Sequence, residues 1–271
     1  MLEASPFDTL AETYDADFSS SAIGLMQRKR VWKWLVPLLN ESGRSLNILE
    51  INCGTGEDAI RLASMGHRVI ATDASAAMIA KANEKISGSA IPPTGVQFMT
   101  STFDQLNHLF AGQKFDLIFS NFGGLNCVDK AALIRLREYL SALLTANGNL
   151  FFVVMGRCCL WEIAHYSFRV EFKSAFRRFK RSVDFKVKGR SMPVYYYSPH
   201  SLKKIFSPSY RLLNKRPIGL FIPPSYLESR FASKPGELLK LYRKEVRFSA
   251  PFFSAFADHY CVIFKKTGSS S

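Results

Sequence analysis

The residues best suited to chemistry in this chain gather where a strand pattern runs into glycine. Ile48-Leu-Glu-Ile51 reads as a buried strand, and Asn52-Cys-Gly-Thr-Gly56 follows at once and opens a helical pattern. That context gives a glycine-rich motif meaning. Gly54 and Gly56 can take positive φ and let a ligand approach backbone where side chains would collide. Seventeen residues beyond Gly56, at the end of the next strand pattern, stands Asp73 in Val69-Ile-Ala-Thr-Asp-Ala-Ser75. A carboxylate there can accept two hydrogen bonds from ribose hydroxyls, as in dinucleotide-binding folds. Two other nucleotide readings fail. No Lys-Ser/Thr pair follows the glycines, so this is no phosphate-cradling P-loop, and the third glycine of GxGxxG is missing, which removes the dehydrogenase fingerprint.

Metal and thiol chemistry find little support. Cys53, Cys127, Cys158, Cys159 and Cys261 lack metal-ligand spacing and read as small buried apolar groups in a reducing compartment, so no metal site is expected. Candidate proton acceptors lie in the second half of the chain: His165, His200, His259 and the run Tyr195-Tyr-Tyr197. Alternation along a strand lets at most two of those tyrosines share a pocket. His165, with Tyr195 and Tyr197, is the expected catalytic set.

The elements that must position these residues alternate. Strand patterns at Asn47–Ile51, Arg68–Thr72, Val96–Thr100, Phe115–Ser120 and Asn149–Met155 are separated by helical patterns near 57–65, 75–86, 103–110 and 129–144. Two helices are expected ahead of them, over 7–18 and 21–39, the second with Arg28, Lys29, Arg30 and Lys33 between its apolar positions. Strand–helix repetition at this spacing predicts an α/β, doubly wound, mostly parallel seven-stranded sheet of Rossmann-like type. A crevice is expected at the carboxyl ends of its strands. After Met155 the rhythm changes. Phe168, Phe172, Phe176 and Phe179 follow helical spacing and predict one amphipathic helix, and Val183-Asp-Phe-Lys-Val187 with Met192-Pro-Val-Tyr predicts a β-hairpin. A helix at Pro199–Phe206, a strand at Tyr210–Pro217, a helix near 235–246 and a strand at His259–Lys265 complete the pattern.

Glu50-x-Asn-Cys-Gly-Thr-Gly56, then Asp73, then Phe115-Asp-Leu-Ile-Phe-Ser-Asn-Phe-Gly-Gly124 resemble the class I S-adenosylmethionine (SAM)-dependent methyltransferases, most closely the small-molecule branch of ubiquinone-biosynthesis type. The resemblance spans about residues 7–156 and includes the opening Phe7-Asp-x-Leu-Ala-x-x-Tyr14-Asp15. It implies SAM as cofactor and a role for each matching position. Glu50 and the turn Asn52, Cys53, Gly54 and Gly56 would face the methionine part, and Asp73 and Ala74 the ribose. Thr102 and Phe103 would flank the adenine, Ser120, Asn121 and Phe122 would line the space beside the methyl group, and Tyr14 would close over the amino-acid end. Two positions depart from the family pattern. Asn52 replaces the first glycine, and Thr102 replaces the acid often found at the adenine loop, with Asp104 two residues on.

The resemblance over 7–156 and the change of rhythm after Met155 together give the expected organisation: N-terminal helices over the cofactor site (1–45), a SAM-binding core (46–156), a basic aromatic α+β cap insertion (157–198), C-terminal completion of the sheet (199–266) and a flexible tail (267–271). Methyl transfer from a sulfonium needs alignment more than acid–base machinery, so no triad is expected. The expected reaction is methylation of an O, N or C nucleophile on a small molecule.

Charge bears on the acceptor. From Tyr166 to Arg216 there are 14 Lys/Arg and two acids, so this stretch carries +12 of the chain's +14. It admits three explanations: a solvated face on a Phe-stripe helix packed against the core, a surface for an anionic or amphiphilic acceptor at a membrane, and an RNA-binding face, ranked last for want of a known RNA module. A non-catalytic SAM-binding or assembly module is the remaining alternative. The acidic N-terminus has no secretion-signal order and no apolar run approaches the ~18 residues of a span, so a cytoplasmic protein is expected.

Overall fold

The computed structural model describes residues 5–88, 95–187 and 190–267. Five parallel strands, β1 (Asn47–Ile51), β2 (Arg68–Asp73), β3 (Val96–Thr100), β4 (Phe115–Ser120) and β5 (Leu144–Met155), share one sheet. A small antiparallel hairpin, β6 (Val183–Val187) with β7 (Arg190–Val194), stands apart. β8 (Tyr210–Ile218) and β9 (His259–Lys266) then complete the sheet in the order β3-β2-β1-β4-β5-β9-β8, with β9 antiparallel to both neighbours. The expected doubly wound seven-stranded sheet is therefore present. Residues 188–189, between β6 and β7, and tail residues 268–271 lie outside the described residues.

Both faces of the central strands are buried, so their successive residues enter opposite cores. Leu49, Ile51, Phe152 and Val154 pack beneath α5 (Lys130–Leu143) and α8 (Pro199–Phe206), as does Tyr197. Ile48, Phe119, Phe151 and Val153 pack beneath α1 (Ala22–Asn40) and α2 (Glu57–Ser64). Glu50 shares the α1 side by the same alternation, and this decides which helix supplies its neighbours. The sheet is flanked further by α3 (Ala76–Ser87) and the single turn α4 (Leu106–Leu109).

The start of α1 is fixed from two directions. Ser21 Oγ accepts from Gly24 N–H at 3.0 Å, and the carboxylate of Glu228 accepts from Ala22 and Ile23 N–H at 2.9 Å each. Glu228 opens the short α9 (Glu228–Phe231), and α10 (Pro235–Arg247) follows. The helix expected over 7–18 is instead a 3-10 turn at Pro6–Thr9 and a π-helical turn at Asp15–Ser19. Polar contacts pull this segment onto the core: Asp8 accepts from Ser75 Oγ at 2.5 Å and Asp15 from Thr55 Oγ1 at 2.6 Å. Close approach to α1 requires Gly24, where a Cβ would stand 1.9 Å from Phe18 O.

The largest departure from expectation follows Met155. α6 (Leu160–Phe168) ends where one long helix was expected to begin, because Val170 turns to φ 60°. α7 (Phe172–Ala175) and a 3-10 turn (Arg177–Phe179) follow in a new direction. The phenylalanine stripe is therefore not packed on the core: Phe168 is 90% exposed. Among the described residues no helix is long and apolar enough to cross a membrane.

Candidate active site

The carboxyl ends of β1, β2 and β4 meet at the point where strand order reverses, the place at which open α/β sheets bind ligands. The turn after β1 bends through three left-handed residues, Asn52 (φ 57°), Gly54 (φ 54°) and Gly56 (φ 78°). Asparagine tolerates that geometry better than other side-chain-bearing residues, and here its side chain has a task. Nδ2 donates to Asn121 O at 2.8 Å, while Oδ1 accepts from Ser120 Oγ at 2.5 Å. A Cβ at Gly124 would lie 2.0 Å from Asn52 Cγ, so the missing side chain at Gly124 accommodates the added one at Asn52. The two glycines of the turn differ in use. A Cβ on Gly56 would meet the Phe98 ring at 2.5 Å and Ala82 at 2.9 Å, so Gly56 serves helix–sheet packing, whereas above Gly54 stands only the ring edge of Tyr14, 3.6 Å from the Cβ position.

Asp73 ends β2 with Oδ2 accepting from Gly54 N–H at 2.8 Å and Oδ1 from Ser75 N–H at 2.9 Å. Burial raises this carboxyl above its ordinary value against the pull of those N–H groups. A carboxylate has about four lone-pair positions, so two remain for hydroxyls of a ligand. Ala74 beside it is exposed. Thr102 and Phe103 lie past the end of β3, next to Asp73. Thr102 caps a 3-10 turn through Gln105, Phe103 rests on the core, and Asp104 turns to Arg135 at 3.8 Å.

The α1 side carries residues that periodicity alone did not mark. Asp58 is a buried hub: Oδ2 accepts from Arg28 Nη1 at 2.6 Å and Asn121 Nδ2 at 2.8 Å, and Oδ1 accepts from Trp32 Nε1 at 2.7 Å. Arg28, expected among the polar positions of its helix, is 8% exposed, with Nε unpartnered and its guanidinium 5.5 Å from the Phe122 ring centre. Glu50 is 1% exposed and its Oε2 has no donor. Burial, with Asp58 nearby, pushes its carboxyl well above the usual range while Arg28 opposes. Tyr14 is pushed up to about 12, by burial first and against Arg28, so its hydroxyl stays a neutral donor.

Aromatic rings continue from Tyr14 across the crevice. Phe18 lies 5.7 Å from Tyr14 and 4.9 Å from Phe122, and Phe122, held at φ 45°, meets His259 edge-on at 5.6 Å. His259 opens β9 opposite Met155, and its Nδ1 is 3.1 Å from Asp258 Oδ2. Asp258 also holds Arg178 at 2.6 Å, and Arg178 Nε donates to Glu162 at 2.7 Å. Burial opposes ionisation of Asp258, yet His259 and Arg178 hold its carboxyl well below the usual range.

The expected catalytic set is placed differently. Tyr197 is buried in the α5–α8 core with its hydroxyl donating to Val128 O at 2.6 Å, and burial raises its pKa further. Tyr195 rests against the same core, its backbone paired with Asn126. Alternation turns Tyr196 the other way, 5.0 Å from the Arg178 guanidinium. His165 and Tyr166 of α6 join Tyr226, from the 3-10 turn at Ser225–Leu227, in an aromatic cluster. Of the histidines, His259 is the one that touches Phe122. Among the described residues no cluster of His, Cys, Asp or Glu suits a metal ion.

Comparison with known proteins gives this arrangement a class. Residues 48–148 match the family model of the methyltransferase domain, so the chain carries a methyltransferase domain of the SAM-dependent class. The tRNA 5-carboxymethoxyuridine methyltransferase of Escherichia coli (strain K12) is 29% identical over 104 residues, which is 38% of this chain and 40% of that protein. The chain thus matches well under half the length of this curated relative. Among solved structures, the CcbJ methyltransferase from Streptomyces caelestis superposes with a TM-score of 0.62 at 15% identity, covering 98% of this chain and 99% of that one. The magnesium protoporphyrin IX methyltransferase of Synechocystis PCC 6803, solved with bound SAH, gives a TM-score of 0.55 at 13% identity over 96% and 99% of the two chains. The fold is theirs, and SAM is the cofactor of this class. The crevice suits it: the unpartnered Glu50 Oε2 matches an ammonium group, the spare acceptor capacity of Asp73 matches a ribose diol, and Arg28 supplies a cation for a carboxylate.

Proposed function

We propose that this chain transfers a methyl group from SAM to an oxygen, nitrogen or carbon nucleophile of a small anionic or amphiphilic molecule in the cytoplasm. The observation carrying the reading is the position of His259, edge-on to Phe122 and with its Nδ1 3.1 Å from Asp258 Oδ2. SAM supplies a carbon already made electrophilic by its sulfonium. The rest is the work of this chain. Asp73 and the turn Asn52, Cys53 and Gly54 hold and orient the cofactor, with Ala74, Thr102 and Phe103 along its nucleoside end. Tyr14 and Phe18 cover it against water, which strengthens alignment of donor and nucleophile. Ser120, Asn121 and Phe122 shape the space between donor and acceptor. Asp258 stands 3.1 Å from Nδ1 as a counter-charge without hydrogen-bond geometry, and Nε2 is the atom that takes a proton from a hydroxyl or ammonium acceptor. Residues 157–198 act as the cap over this space and present its basic face to a peripheral membrane contact.

His259→Asn is expected to slow methyl transfer by about 10²-fold, the lower end for a general base, while leaving SAM affinity unchanged. An unchanged rate would remove His259 from the role. The acceptor class is tested by transfer of labelled methyl to fractionated cell extract, with label expected among small molecules or lipids. A second reading, RNA as acceptor, is favoured by the tRNA-modifying relative and the basic stretch from Tyr166 to Arg216. Label confined to the RNA fraction would establish it instead. SAM binding with no label in any fraction would indicate a non-catalytic module.

A further inference from the structure

The corner between α6 and the 3-10 turn at Arg177–Phe179 is built against the usual rule for surfaces. Phe168 is 90% exposed, Val170 74%, Phe172 56%, and Phe176 and Phe179 48% each. Contiguous apolar side chains held in water mark a surface that something covers. The corner is anchored from beneath. Arg178 bridges Glu162, Asp258 and the Gly156 carbonyl, Arg177 also binds Glu162, and Arg157 Nη2 donates to Phe179 O at 2.6 Å. The rings therefore point outward from a fixed base.

Charge identifies the cover. Between Phe168 and Arg181 six Lys/Arg stand against one acid, Glu171. Arg177 and Arg178 turn inward and Arg169 pairs with Glu171 at 2.8 Å, while Lys173, Lys180 and Arg181 are exposed around the apolar apex. A layer of negative charge directly above an apolar interior complements this pattern, and an anionic lipid bilayer has that order. RNA complements it less well, since the apex sets Val170 between Phe168 and Phe172, and the Phe176 and Phe179 rings, 6.2 Å apart, are tilted by 44° and do not form a parallel stacking face.

We infer that the corner from Phe168 to Phe179 docks on an anionic lipid surface. Phe168, Val170 and Phe172 enter between headgroups, and Lys173, Lys180 and Arg181 meet phosphates. The inference rests on the proposed reading of the cap as a membrane contact and adds its location and lipid charge. Because Glu162 and Arg178 link the corner to Asp258 and His259, docking would bring the crevice close to an amphiphilic acceptor resident in the membrane.

The test is co-sedimentation of the full chain, at low salt, with phosphatidylcholine vesicles and with mixed phosphatidylcholine–phosphatidylglycerol vesicles. Binding is expected to the mixed vesicles only and to be released by high salt. The double variant F168S/F172S is expected to lose about tenfold or more in partitioning while binding SAM in calorimetry as the wild type does, which shows it folded. Three results would overturn the inference: equal or no binding to both vesicle types, a double variant that partitions like wild type, and loss in the variant only of RNA-oligonucleotide binding or self-association with vesicles never bound. Failure of the wild type to bind SAM would instead count against the proposed function and leave the vesicle result to stand alone.

Discussion

Asp58→Ala is expected to cost about 3–5 kcal/mol of stability, the range for removing one partner of a buried charge pair. Arg28 would keep its guanidinium in the core without a carboxylate, and Trp32 Nε1 and Asn121 Nδ2 would lose their acceptor together. For a chain of this size that is a fall of roughly 10 °C in Tm. The effect on the crevice follows from the same bonds. Asn121 carries the loop that positions Phe122 and receives Asn52 Nδ2, so losing its anchor loosens the turn after β1 and the end of β4 at once. SAM affinity should therefore fall with stability. Asp58→Asn, which keeps an acceptor for Trp32, should be milder in both. Equal stability of Asp58→Ala and wild type in denaturant titration would contradict the hub.

A second large effect is expected at Arg178→Met. Glu162, 1% exposed, would be left with Arg177, and Asp258, 3% exposed, with His259 and Gln27, so a loss of about 3 kcal/mol, the low end for breaking a buried pair, is expected. The pH dependence has a definite sign. The Asp258 carboxyl is held below its ordinary value, so the stability it confers is complete above about pH 4 and is lost as pH falls toward its folded pKa. The gap between wild type and Arg178→Met should be full at neutral pH and narrow in acid. Denaturation followed at neutral and acidic pH measures it. A gap that widens in acid would mean that the network is not held by ionised Asp258.

The sheet was legible because its physics is periodic. Central strands buried on both faces write themselves as short apolar runs, as at Asn47–Ile51 and Phe115–Ser120; these two and the edge strand Val96–Thr100 have the same bounds in sequence and structure. The cofactor turn was legible because Gly54, Gly56 and Asp73 sit at strand ends, where spacing constrains position. The cap misled for the opposite reason. Phe168, Phe172, Phe176 and Phe179 have helical spacing, but Val170 in a left-handed conformation breaks the helix, and its valine side chain gives no turn signal. Buried ion pairs leave no local pattern either: Arg28 meets Asp58 30 positions away and Arg178 meets Asp258 80 away, so neither arginine stood out from its charged neighbours. His259 was one histidine among several until β9 set it against Phe122.

The central claim is that the crevice at the ends of β1, β2 and β4 binds SAM through Asp73. Isothermal calorimetry of SAM with the pure, folded chain and with Asp73→Ala tests it most directly. One binding site is predicted for the wild type. Loss of two hydrogen bonds to a charged group predicts affinity at least about 100-fold weaker in the variant. No detectable binding by the folded wild-type chain, or equal affinity in Asp73→Ala, would contradict the account.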